Sequence, residues 1–203
     1  MALSLIQPDA HLDEIVRHIE DERPRIPAGL LSREEKDRLI ERGFVGLYRW
    51  YIARSQNERN WNPDSFVDWS KMRKDHNPEL LNVLKGFFAV EQYVPDYVST
   101  LLNVIRKSHG RSHFHLRWGS EEEKHAELWY NACLFSGHMT GDELRDYMGQ
   151  LRGQAWALPW EDPVRMIFYT VFQERATQVN YLNTAVIARG KSDLPQFANS
   201  EAP

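Results

Sequence analysis

Ser120-Glu121-Glu122-Glu123-Lys124-His125-Ala126-Glu127 is the stretch on which the reading of this chain turns. Within it, Glu122-x-x-His125 is an i, i+3 pair, which an α-helix sets side by side on one face. Trp118, Glu122, His125, Trp129 and Ala132 recur at helical spacing. A carboxylate and an imidazole therefore fall into an otherwise apolar stripe. Carboxylates stay buried only when a partner or a metal takes them. Alone, the pair also fits a tolerated polar pair at the edge of a core, since Glu121, Glu123 and Lys124 are surface types. A four-residue motif also recurs by chance, so its weight depends on what the neighbouring segments supply.

Working outward, the preceding segment predicts a helix capped by Asn77, with Pro78 at its first position, running to about His109 with Gly110 as a stop. Its stripe is Leu84, Phe87, Phe88, Val94, Val98, Leu101, Leu102 and Ile105, and Glu91 falls within it. Pro95 is expected to kink this helix one turn after Glu91. The helix bearing Glu122 and His125 should span about Phe114 to Phe135 and end at Gly137. Thr140-x-x-Glu143 is a capping box opening a shorter helix to about Gln154. Asp162 and Pro163 then start a last long helix reaching Ala188 or Arg189. There Ile167, Val171, Glu174, Tyr181 and Ala185 share a face, so a glutamate again sits in an apolar seam.

Toward the N-terminus, Asp9 to Glu22 reads as a short amphipathic helix ended by Pro24, Pro27 and Gly29. Ser32-x-x-Glu35 is a second capping box, opening a helix to about Ser55. Residues 57–77 read as a connection with one helical turn near Phe66 to Met72. No segment reads as a strand. The expected fold is an all-α helical bundle, with one domain over residues 1–190 and a polar tail over 191–203.

With 203 residues, 42% of them hydrophobic and 27% charged, the chain has the make-up of one globular domain. A net charge of -4 argues against general nucleic-acid binding. The single cysteine, Cys133, excludes an intrachain disulfide and a cysteine-based zinc site. No apolar run approaches the ~20 residues that span a bilayer, and the N-terminal apolar segment is too short for a signal peptide. The expected location is cytoplasmic.

Three long helices thus each bring a glutamate inward, and one adds a histidine three residues on. Oxygen-rich ligation with imidazole suits iron or manganese better than a thiolate-seeking metal. The ferritin-like dimetal carboxylate proteins have this arrangement: one Glu from each of two helices and Glu-x-x-His from each of the other two.

Tyr169-Thr-Val-Phe-Gln-Glu-Arg-Ala-Thr177, continuing to Asn183-Thr-Ala185, strongly resembles the acyl-[acyl carrier protein] desaturases, the stearoyl type among them. Glu91-Gln-Tyr-Val-Pro-Asp-Tyr97 resembles their first iron-ligand helix, and Glu121-Glu122-Glu123-Lys124-His125 their Glu-Glu-Asn-Arg-His segment. The resemblance covers about residues 30 to 190. It implies a ferritin-like di-iron enzyme that uses dioxygen and two electrons, supplied by a ferredoxin-type donor. The reaction it implies leaves a cis double bond in a fatty acyl chain on acyl carrier protein, within fatty acid biosynthesis. A homodimer is implied as well. Glu91, Glu122, His125 and Glu174 match the family's metal ligands, and Thr177 matches a threonine on the oxygen side of the centre. A hydroxyl bonded back to its own helix accounts for a lone Thr at position 177 equally well.

The sequence departs from the family in one respect. The second Glu-x-x-His of the family lies some thirty residues beyond Glu174, and this sequence carries no second pair, which reads as a C-terminally truncated form lacking the last metal-ligand helix. The reversed His11-x-x-Glu14 lies outside the matched segment. Loss of one Glu and one His should cripple at least one iron position and leave apolar surface uncovered. The alternatives are a non-catalytic desaturase-like subunit that binds a partner, and a ferritin-type iron-binding protein. Lys71, Arg73 and Lys74, or Arg33, Lys36 and Arg38, could dock an acidic carrier protein. His113 and His115 point to different helix faces and read as surface histidines.

Overall fold

The computed structural model describes residues 28–57, 60–157 and 163–191. The helix expected over 9–22, the His11/Glu14 pair, the Asp162 cap and the tail from 192 lie outside the described residues. After a 3-10 turn at Ala28–Leu30, the helices in chain order are α1 (Arg33–Asn57), α2 (Pro63–Phe66), α3 (Pro78–Glu91), α4 (Val94–Ile105), α5 (His109–Phe135), α6 (Gly141–Arg152) and α7 (Pro163–Lys191). A second 3-10 turn, Trp69–Lys71, follows α2. Among the described residues there is no strand, so the chain is all-α as expected.

The helix starts follow their local chemistry. Ser32 Oγ accepts from the Glu35 N–H at 3.2 Å, while Glu35 Oε2 accepts from the Ser32 N–H at 2.8 Å. The same reciprocal box joins Thr140 and Glu143 at the start of α6. Asn77 accepts from the Glu79 N–H at 2.8 Å, with Pro78 opening α3. Each box satisfies amide donors that the first helical turn leaves unpaired. Gly137, at φ 75°, takes the left-handed turn that stops α5.

Two helix boundaries differ from expectation. The single helix expected from Asn77 to His109 is two, because the chain turns at Gln92 and Tyr93. Pro95, which lacks a backbone donor, instead occupies the first turn of α4, where none is needed. Helix α5 begins at His109, not near Phe114, and Gly110 lies inside it.

The chain divides into two compact units, one of residues up to Asn60 with Ile105–Trp118, the other of Trp61–Val104 with Gly119 onward. In the first, Glu41 accepts from the Gly110 N–H at 2.8 Å and from the Ser108 hydroxyl. Arg117 Nε donates to Ser55 Oγ at 2.5 Å, and Phe114 packs on Phe44 and Tyr51. His115 is buried, not a surface residue: its Nδ1–H donates to the Arg111 carbonyl at 2.8 Å, and burial holds its pKa below the ordinary value. His113 is half-buried.

The second unit holds the main core. Val67, Trp69, Met72, Leu84, Phe88, Leu128, Trp129, Ala132, Cys133, Met139, Leu144, Tyr181 and Ala188 form one buried cluster. Burial pushes the Cys133 thiol up to about 12, which keeps it protonated. The inward face of α7 is carried by Met166, Tyr181 and Ala188, whereas Val171 is 59% exposed and does not join it. Val164, Phe168, Val171, Phe172, Val179, Leu182 and Val186 form an exposed apolar face along the same helix.

Candidate metal centre

Glu91 is the last residue of α3, and Glu122 and His125 share one face of α5. One ligand atom from each lies within 4.8 Å of the other two, and both glutamates are buried at 5% and 7% exposure. His125 is half-buried, with its Nδ1 3.2 Å from Glu122 Oε2. Two carboxylates brought this close out of water repel each other, and a cation between them removes the conflict. Glu91 carries a further penalty: a carboxylate at the carboxyl end of a helix faces the negative pole of the helix dipole. The donor set of two carboxylates and an imidazole fits iron or manganese.

The surroundings hold these side chains in place. Tyr181 on α7 donates its hydroxyl to Glu91 Oε1 at 2.7 Å. Trp129, one turn past His125 on α5, donates its indole N–H to the Tyr181 oxygen at 3.0 Å. The Trp61 ring stacks on His125 at 6.2 Å, and Lys124 Nζ lies 5.8 Å from the same indole. Lys124 also pairs with the buried Glu121 at 3.4 Å.

Tyr97 on α4 is buried beside this cluster. Burial raises its phenol pKa far above the ordinary range, and the charges of Glu122, Glu91 and Glu174 push it the same way. Glu174 is half-buried on α7 and stands outside the group of three, although its charge reaches the same tyrosine. Thr177, one turn further along α7, is half-buried.

Tyr181, Trp129, Tyr97 and Trp61 were not singled out as site residues from the sequence. Tyr181 lies seven residues after Glu174, two helical turns on the same face, and Tyr97 closes the segment that begins at Glu91. Spacing therefore carried a signal for both, although a stripe position alone reads as core filler. Of the basic clusters, Lys71 is paired with Asp68 at 2.8 Å and Arg73 with Asp75, which weakens that patch as a docking surface. Arg38 pairs with Glu34 at 2.5 Å on an exposed face of α1.

Among the described residues, no helix is long and apolar enough to cross a membrane. The sequence profile for "Fatty acid desaturase" matches residues 52–198. Stearoyl-[acyl-carrier-protein] 9-desaturase 5, chloroplastic, of Arabidopsis thaliana is 28% identical over 159 residues, 68% of this chain and 40% of that protein. A seed-specific stearoyl-[acyl-carrier-protein] 9-desaturase of Brassica napus is 30% identical over 68% of this chain and 40% of its own length. Palmitoyl-[acyl-carrier-protein] 4-desaturase of Coriandrum sativum is 29% identical over 71% of this chain and 44% of its own. The chain thus spans about two fifths of the length of these curated relatives. No solved structure gives a significant match. The match over most of its length, in a chain whose described residues are mostly helical and include no strand, shows that this protein belongs to the fatty acid desaturase family, of the acyl-carrier-protein type.

Proposed function

We propose that this protein serves the oxygen-dependent desaturation of a fatty acyl chain carried on acyl carrier protein, with iron held by Glu91, Glu122, His125 and Glu174. The observation that carries this reading is the meeting of Glu91, Glu122 and His125 within 4.8 Å inside a helical core. Bound iron would supply the reduction of dioxygen: one O2, two electrons and two protons, together with two hydrogens taken from adjacent acyl carbons, leave a cis double bond and two waters. The chain's own residues bind and shield. Glu91 and Glu122 supply negative charge to hold the cations, and His125 supplies a neutral nitrogen donor. The aromatic wall of Phe87, Trp129 and Tyr181 excludes water from their side of the site. Thr177 places a hydroxyl one turn from Glu174, on the oxygen side of the centre.

The electrons come from a ferredoxin-type donor, and the working form pairs two copies of the chain. The exposed apolar face of α7 supports this pairing, because a run of large side chains at helical spacing is costly to leave in water. The test is oxygen uptake by iron-loaded protein with reduced ferredoxin and stearoyl- or palmitoyl-acyl carrier protein, with the acyl product analysed for a new double bond. Uptake that requires the acyl carrier and yields unsaturated product supports the proposal. No unsaturated product from iron-replete protein with either substrate refutes it.

A second reading rests on the donor count. Three ligand residues meet, whereas the family's arrangement uses six. A desaturase-like subunit that binds acyl carrier protein without catalysis would bind the carrier, keep its helical fold and retain no iron.

A further inference from the structure

We propose that Tyr181, backed by Trp129, is a positioning residue of the metal centre that fixes the carboxylate of Glu91 toward Glu122 and His125. This inference rests on the metal reading above and specifies how one ligand is presented.

The polarity of the chain follows from what each group can donate. An indole N–H only donates and an ionised carboxylate only accepts. With Trp129 Nε1 at 3.0 Å and Glu91 Oε1 at 2.7 Å, the phenol oxygen must accept from Trp129 and send its own hydrogen to Glu91. The hydroxyl rotor is thereby fixed. The ring cannot swing either: Tyr181 is 6% exposed and meets Phe87 edge-on at 4.6 Å and Trp129 at 5.0 Å.

Glu91 needs such a tether. It is the last residue of α3, immediately before the turn at Gln92 and Tyr93, where the helix no longer holds the backbone on both sides. Without the bond from Tyr181, the carboxylate is held less firmly toward Glu122 and His125. That bond orients the carboxylate and draws charge from it. Outer contacts of this kind orient ligands and set metal affinity.

The test uses the full chain titrated with Co(II), whose visible absorption reports coordination geometry, and separately with spectrally silent Zn(II) while the near-ultraviolet aromatic absorbance is followed. Tyr181→Phe keeps the ring and removes the hydroxyl. It is expected to weaken Co(II) binding about 10–100-fold and to change the visible spectrum as the orientation of Glu91 changes. Trp129→Phe, which leaves the bond to Glu91 but frees the rotor, should produce a smaller change in the same direction. In the unsubstituted chain, Zn(II) should perturb the aromatic absorbance with the midpoint of metal binding, a result that needs no variant to fold. Co(II) binding with the same affinity and spectrum in Tyr181→Phe overturns the inference while leaving the metal reading intact. An aromatic signal unmoved by bound Zn(II) also overturns it alone. Failure of the unsubstituted chain to bind Co(II) overturns the metal reading and this inference with it.

Discussion

Replacing Gly119 with alanine tests how closely α4 and α5 must approach to present Glu122. Gly119 lies one turn before Glu122, and a Cβ built there would fall 2.8 Å from Val98 Cγ2 and 3.3 Å from Val98 Cγ1. Comfortable carbon contacts are about 3.5–4.0 Å, so the worse contact is short by nearly 1 Å. Alanine is favoured over glycine within a helix by about 0.8–1 kcal/mol, whereas overpacking a close contact costs about 1–3 kcal/mol. The clash should win, with a net loss of about 0–2 kcal/mol after the propensity gain is subtracted. Urea unfolding followed by circular dichroism would measure the loss. The decisive quantity is the coupling with Val98→Ala, which removes both methyl groups. In the double variant the alanine at 119 should become stabilising, giving an interaction energy of about 1–3 kcal/mol. Co(II) binding should weaken in the single variant and recover in the double. If Gly119→Ala is stabilised by the full propensity gain and does not couple to Val98, the close packing argued here is wrong.

Thr140→Ala removes the capping box of α6 and should cost about 1 kcal/mol by urea midpoint, while Thr140→Ser should keep most of the stability. For pH, burial holds His115 below its ordinary value of 6.5, so the folded state disfavours its charged form. Stability is therefore complete above about pH 6.5 and falls as pH drops through that value toward the folded pKa, because the unfolded chain binds the proton more readily. His76 and His138 act in the same direction, so His115→Gln should reduce, without abolishing, the drop in melting temperature between pH 7.5 and pH 5.5. Sedimentation should show a dimer for the unsubstituted chain and a monomer with unchanged helicity for Phe168→Glu combined with Leu182→Glu. A monomeric unsubstituted chain would remove the pairing proposal.

Much of the architecture was legible because helix caps and breakers act over three or four residues. Ser32/Glu35, Asn77/Pro78 and Thr140/Glu143 form the bonds their spacing predicts, and Gly137 stops α5. Glu91 and Glu122 also stood out, since acids inside apolar stripes are rare and both are buried. Other features depended on tertiary contacts that periodicity cannot register. Helix α7 carries apolar side chains on two faces, and spacing alone put Val171 on the wrong one. His115 read as a surface residue because nothing in the sequence shows that the Arg111 carbonyl satisfies its ring nitrogen within its own turn of helix. The break at Gln92 and Tyr93 was placed a turn late because Pro95 is tolerated in a first helical turn and so marks a start, not a kink. The role of Tyr181 needed the positions of Glu91 and Trp129, which are 90 and 52 residues away along the chain.

The most direct test of the metal centre is the iron content of protein loaded anaerobically with ferrous iron and then desalted, set beside Glu122→Ala carried through the same steps. The proposal predicts at least about one retained iron per chain in the unsubstituted protein and near-complete loss in the variant, with helicity kept in both. A well-folded unsubstituted chain that retains no iron, or a Glu122→Ala variant that retains as much, would contradict it.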